Sequence, residues 1–171
     1  MRGVKAAVAA VLVSLVLGPA APAAAEPLSK PQGVVVLEVT GKIANTNLGD
    51  KAAFDLDSLE RFGVSSFTTG TPWTDGKVTF EGVSGNELMA TLDADGAEIR
   101  AEALDGYSVV IPMEDFRRSG AIIAYKMNGA PLAEGEQGPL WIVYPYDADP
   151  GVNDEAHHAR SIWQLKSLEI R

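Results

Sequence analysis

From Gly33 onward the apolar residues fall in short runs of strand length, broken by glycine, proline, asparagine and aspartate. That pattern restricts the chain to folds made of many short strands. The clearest run is "AEIRAEAL". It puts Ala97, Ile99, Ala101 and Ala103 on one face and Glu98, Arg100 and Glu102 on the other. A period of two predicts a strand with one buried face. "GVVVLEVTGKI" (residues 33–43), "KVTFEGV", "YSVVIP", "AIIAYKM" and "LWIVYP" predict further strands, and "SIWQLKSLEIR" a closing strand pair or bent strand. Helices have room only to be short. "FDLDSLERFG" offers Asp55 or Asp57 as N-cap and Gly63 as stop, and "SGNELMATL" opens on Ser84 with Glu87 three residues on, a capping-box spacing. "MEDFRRSG" fits one or two turns ending at Gly120. With no internal repeat and no linker, the expected fold is α+β: one β-rich domain of mixed sheets with short helices.

The N-terminus follows different rules. Arg2 and Lys5 precede an apolar run over residues 6–17, and "APAAAEP" follows with small residues at Ala23 and Ala25. This is the order of a secretory signal peptide, so cleavage is expected after Ala25. The run is shorter than the roughly 20 apolar residues that span a bilayer, and Pro19 and Pro22 follow it. Residues 1–25 are therefore read as signal peptide and 26–171 as the domain. Export to the periplasm or beyond is expected, with no membrane insertion after cleavage. The mature chain of 146 residues is long enough for a real core, and the lack of cysteine rules out a disulfide framework. Without Arg2 and Lys5, 12 Lys+Arg face 23 Asp+Glu, a net charge of −11. Such acidity argues against nucleic acid and anionic lipid as partners.

Few motifs carry chemistry on their own. No G-x-S-x-G elbow and no phosphate-binding G-x-x-x-x-G-K-[ST] loop is present, and the two histidines, His157 and His158, sit in one polar stretch. That stretch, "DADPGVNDEAHH" (residues 147–158), has carboxylates that suit calcium and imidazoles that suit transition metals. Its spacing matches no EF-hand, and its Pro-Gly marks a turn, so a solvated acidic loop is the expectation. "DADG" at residues 93–96 lacks the other positions of a calcium loop and is read as a turn.

Three stretches in order say more: "TPWTDGKVTFEGVSGNELM", "AEALDGYSVVIPMEDF", and "AYKMNGAPLAEGEQGPLWIVYPYD" continued by "ARSIWQLKSLEI". Together they resemble the molybdopterin-binding domain of the sulfite-oxidase fold, in its short exported bacterial form, over most of residues 67–170. In that family a cysteine four residues before the first tryptophan supplies a thiolate to molybdenum. The tryptophan here is Trp73, and the matching position is Thr69. A threonine hydroxyl stays protonated and is a hard, weak donor, no replacement for a thiolate. No cysteine occurs anywhere in the sequence, so cysteine-ligated molybdenum is excluded. The family's biology also implies cofactor insertion in the cytoplasm and twin-arginine export, whereas "MRGVK" has no Arg-Arg pair.

The resemblance implies a cleft where the cofactor would sit. Of the large aromatics in the three motifs, Trp141 and Trp163 are expected in the core. Trp73 and Tyr146 lie in turn-rich stretches and are the better cleft candidates. Arg160 and Ser161 match the segment that meets the pterin phosphate in the family and could hold an anion, although a plain surface arginine is the commoner use of such a residue. The candidate cleft is thus Thr69, Trp73, Tyr146, Arg160 and Ser161, with no catalytic or metal-ligating residue assigned and no cofactor expected. The expectation is an exported domain that binds a small anionic ligand or a protein partner through the former cofactor cleft. Two alternatives stay open: an oxidoreductase that binds molybdopterin without a cysteine ligand, and an accessory or sensory domain for a membrane receptor.

Overall fold

A computed structural model describes residues 27–171; the signal-peptide expectation lies outside the described residues. Two sheets share one hydrophobic core. The first runs in the order β2 (Ala52–Phe54), β1 (Leu37–Gly41), β10 (Leu165–Ile170), β5 (Glu98–Ala103), β6 (Ser108–Pro112). Its central pair, β1 and β10, is parallel, and every other pairing is antiparallel. The second sheet runs β3 (Ser65–Gly70), β4 (Lys77–Ser84), β7 (Ile122–Met127), all antiparallel. On the far side of β7, β9 (Trp141–Val143) pairs with Ile122–Ala124 and β8 (Ala130–Pro131) with Lys126 and Met127. This is the expected α+β arrangement of mixed sheets and short helices.

The alternation that predicted β5 is real: Ile99, Ala101 and Ala103 are buried, while Ala97 lies outside the strand and is exposed. In β4 the alternation breaks by design. Val78 and Phe80 point inward, a bulge falls between Glu81 and Gly82, and Val83 then also faces the core. Only glycine fits at the bulge, because a Cβ on Gly82 would stand 2.2 Å from the Ile123 carbonyl oxygen.

Asp55, not Asp57, caps helix α1 (Leu56–Glu60), because Ser58 then stands at the third helical position to reciprocate. The Asp55 carboxylate is 3 % exposed. It accepts from the Ser58 backbone N–H and hydroxyl, and from the backbone N–H groups of Gln32 (2.7 Å) and Gly33 (2.6 Å). It therefore fastens the segment before β1 as well as the helix. The Ser58 hydroxyl, then the Gly33 amide, hold its pKa far below the usual carboxylate range. Asp55→Ala is expected to cost about 1–2 kcal/mol near neutrality, the upper range for a cap. The unfolded chain takes up a proton first, at its ordinary pKa of about 3.9, so this stabilisation is fully present above that value and fades as pH falls below it. Urea midpoints at neutral and acid pH check this: the gap between wild type and variant narrows in acid, and an unchanged gap would contradict the role of the carboxylate.

Ser84 caps α2 (Gly85–Thr91) through a long bond of 3.4 Å from the Glu87 N–H. Helix α3 (Met113–Arg118) follows β6 directly. Several elements depart from expectation. Strands β2 and β3 were not foreseen: β2 is three residues long, and β3, "SSFTTG", is too rich in serine and threonine to show an apolar period. The stretch read as an acidic loop instead holds a 3₁₀ turn at Pro150–Val152 and helix α4 (Glu155–Arg160), capped by Asp154. Helix α4 buries none of its residues, so it has no apolar stripe to betray it.

Candidate ligand-binding cleft

The chain leaving α4 joins the two sheets. Ile142 of β9 donates its N–H to the Ile162 carbonyl (3.0 Å), Trp141 and Trp163 form an isolated bridge, and Leu165, the first residue of β10, donates to the Leu140 carbonyl (2.9 Å). All three tryptophans of the sequence meet at this seam. Trp141 is fully buried, as expected, and packs edge-on against Phe80 at 5.3 Å. Trp73 and Trp163 both lean on it, each with ring centroids 5.9 Å from its own. Trp163 is not in the core: it is 37 % exposed and stands at 87° to Trp73, 5.4 Å away. A tryptophan before a strand reads as core, but Trp163, on the same side of the bridge as Trp141, packs on the edge of that buried ring and keeps part of its own surface open.

These two indoles wall a cleft of about 340 Å³, lined also by Tyr107, His158, Ser161 and Asp105. Local turns set the walls. Thr71 Oγ1 accepts from the Trp73 N–H (3.1 Å) and pairs with Thr74 Oγ1 (3.0 Å), which holds Trp73 at the end of β3. Asp105 Oδ1 accepts from the Tyr107 N–H (2.9 Å), and Gly106 between them takes a φ of +88°. This tight β5–β6 turn leaves Tyr107 55 % exposed at the rim. His158 stands edge-on to both Trp73 (6.1 Å) and Tyr146 (5.0 Å).

Of the five residues expected in one cleft, Trp73 and Ser161 line it, and Thr69, Tyr146 and Arg160 do not. Thr69 is fully buried. Its Oγ1 accepts from the Asp147 N–H (3.1 Å) and donates to the Gly70 carbonyl (3.2 Å), so it ties β3 to the segment after Tyr146. The Asp147 carboxylate completes the tie by accepting from the Gly70 N–H (2.8 Å), the bond that chiefly lowers its pKa. Tyr146, read as a cleft residue from its turn-rich surroundings, is 2 % exposed, and burial pushes its pKa up to about 12. Its hydroxyl bonds the Ser161 hydroxyl, which donates to the His157 carbonyl (3.0 Å), while the Ser161 carbonyl accepts from Trp141 Nε1 (3.1 Å). Arg160 is committed elsewhere: its guanidinium lies 3.0 Å from Asp115 Oδ2, which also accepts from the Tyr144 hydroxyl at 2.9 Å. Burial first, then the Asp115 charge, push the Tyr144 phenol well above its ordinary pKa. Helix α4 is therefore pinned to the core at its C-terminal end. The sequence reading put neither His158 nor Asp105 in the cleft and left Tyr107 unplaced; the only local signal was the "DGY" turn.

A molybdenum cofactor does not fit these residues. No thiolate is present, and the Thr69 hydroxyl is turned into the protein with both its bonds made. Among the described residues no three or more His, Asp or Glu side chains gather as a metal site. A pterin phosphate would find neither lysine nor arginine in the lining of the cleft, and would face Asp105. No helix among the described residues is long and apolar enough to cross a membrane.

Residues 53–148 match the family described as oxidoreductase molybdopterin binding domain. Among solved structures, the fold is similar to the sulfane dehydrogenase SoxCD from Paracoccus pantotrophus, with a TM-score of 0.59 and 20 % identity over 78 % of this chain. The chain spans 37 % of that SoxCD chain. A comparison with curated protein sequences gives no match.

Proposed function

The chain belongs to the oxidoreductase molybdopterin-binding domain family, and from that premise we propose that it is an exported binding domain, built on the family's fold without a protein ligand for molybdenum. The observation that carries this reading is Thr69. The position that would supply the metal's thiolate holds a hydroxyl that is buried and bonded on both sides. Next to it the fold still maintains an open cleft of about 340 Å³ with aromatic walls and a few polar groups, the general build of a small-ligand site. An anionic occupant was the expectation while Arg160 stood as its anchor. With Arg160 paired to Asp115, the cleft itself is the site, and its occupant does not depend on a guanidinium.

Native mass spectrometry of the protein purified from its own host tests the proposal. The expected mass is that of a chain starting at Glu26, with any retained small molecule lost in Trp73→Ala. A chain starting at Met1 would defeat export, and a bound molybdenum–pterin mass would replace the binding-domain reading with that of an oxidoreductase.

A further inference from the structure

We propose that the cleft recognises a small organic cation of the quaternary-ammonium class; this rests on the reading of the cleft as a ligand site and names its ligand chemistry. Three observations converge. First, the walls are aromatic, and Trp73 and Trp163 stand at 87° with centroids 5.4 Å apart, so they form two sides of a corner. Tyr107 adds a third ring at the rim. All three are at least one-third exposed, with Tyr107 the most open at 55 %. Large aromatics left open to water in a chain with a full core of its own are available for binding. Second, the charge has one sign. Asp105 is the single carboxylate of the lining, and no lysine or arginine joins it. The nearby cations are spent: Arg160 pairs with Asp115, and Lys77 lies 3.3 Å from Asp147. Third, the polar groups at the back are already bonded. The Ser161 hydroxyl and carbonyl serve Tyr146, His157 and Trp141, so little donor capacity is left for an anion.

The ring quadrupole is negative over the face of an indole or phenol, so a soft cation held among several rings is attracted without hydrogen bonds. A methylated ammonium suits such a box better than a lysine-like ammonium, because it has little hydration to lose and no N–H to satisfy. Asp105 lies at the rim as counter-charge. One of its oxygens is occupied by the Tyr107 N–H, and this bond also couples the carboxylate to the ring beside it.

Titration of the purified protein with choline, read by tryptophan fluorescence, tests this, with dimethylbutanol as the uncharged isostere and a simple pterin as the neutral aromatic control. The expected result is saturable quenching by choline at a concentration at least ten-fold below that for dimethylbutanol. Tyr107→Ala and Asp105→Asn, both at exposed positions, should each weaken choline about ten-fold, the size of one good cation–π or ion-pair contact, and leave the unfolding midpoint unchanged. Equal binding of choline and dimethylbutanol, or binding of the pterin alone, would overturn the cationic class and leave the cleft reading standing. Choline binding that ignores both substitutions would place the cation elsewhere and overturn the proposal. No binding of any of the three probes would overturn the proposal together with the cleft reading.

Discussion

Trp141→Ala is expected to lower the unfolding free energy by about 4–5 kcal/mol, the upper range for deleting a buried tryptophan. The indole is fully buried at the seam of the two sheets. It packs edge-to-face with Phe80, Trp73 and Trp163, and its Nε1–H donates to the Ser161 carbonyl. Truncation opens a large cavity and removes the bonding partner of a carbonyl on the link into β10. It also takes away the surface against which both walls of the cleft rest. Since domains are stable by only about 5–15 kcal/mol, this one change brings the fold close to its limit. Urea unfolding followed by circular dichroism measures the loss. Trp141→Phe, which keeps a ring but gives up the N–H donor, should recover about half of it. A loss under about 2 kcal/mol for the alanine variant would mean that the seam relaxes freely and that the cleft walls are not held from behind.

Arg160→Ala is expected to cost about 3 kcal/mol, the low end for breaking a buried ion pair, because the arginine side chain keeps 25 % of its exposure. The damage lies in what remains. Asp115, only 8 % exposed, would keep a single side-chain donor, the Tyr144 hydroxyl. The contrasting pair is Arg118 with Glu114, shorter at 2.8 Å but with side chains 82 % and 57 % exposed. Arg118→Ala should therefore stay within about 0.5 kcal/mol of wild type. Replacing Arg160 by methionine, Asp115 by leucine and Tyr144 by phenylalanine together should recover much of the loss, since neither a charge nor the Tyr144 hydroxyl, which donates to Asp115, is then left buried and unpaired. Equal costs for Arg160→Ala and Arg118→Ala would show that α4 is not anchored through this pair.

How much of this was legible in the sequence follows from how strongly each element is patterned. Strand β5 declared itself because the alternation in "EIRAEA" matches one buried and one open face. Ser84 was readable from the spacing to Glu87, although only the serine half of the capping box forms. The choice between Asp55 and Asp57 needed the fold. Both acids precede apolar residues; Ser58 reciprocates with Asp55, and the Gln32 and Gly33 amides from a distant segment add to the same carboxylate. Helix α4 was hidden for the opposite reason. It is held by one cap and by Arg160 and Ser161 at its end, contacts made across the chain and not along it. The family was legible, since ordered motifs survive substitution. Which aromatics are open was not. Tyr146 and Trp163 exchange their expected places: the tyrosine is buried with its hydroxyl bonded to Ser161, and the tryptophan packs on the outer side of Trp141 beside Trp73.

The proposal is a domain with the family's fold and an open cleft but no protein ligand for molybdenum. Its most direct test is the molybdenum content, by elemental mass spectrometry, of wild-type protein and of Thr69→Cys, each isolated from the native host. No molybdenum above background is expected in either. In the variant the new side chain would occupy a buried site facing Asp147 and Gly70, and the N-terminal sequence still lacks an Arg-Arg pair. Stoichiometric molybdenum in the wild-type protein would contradict the account.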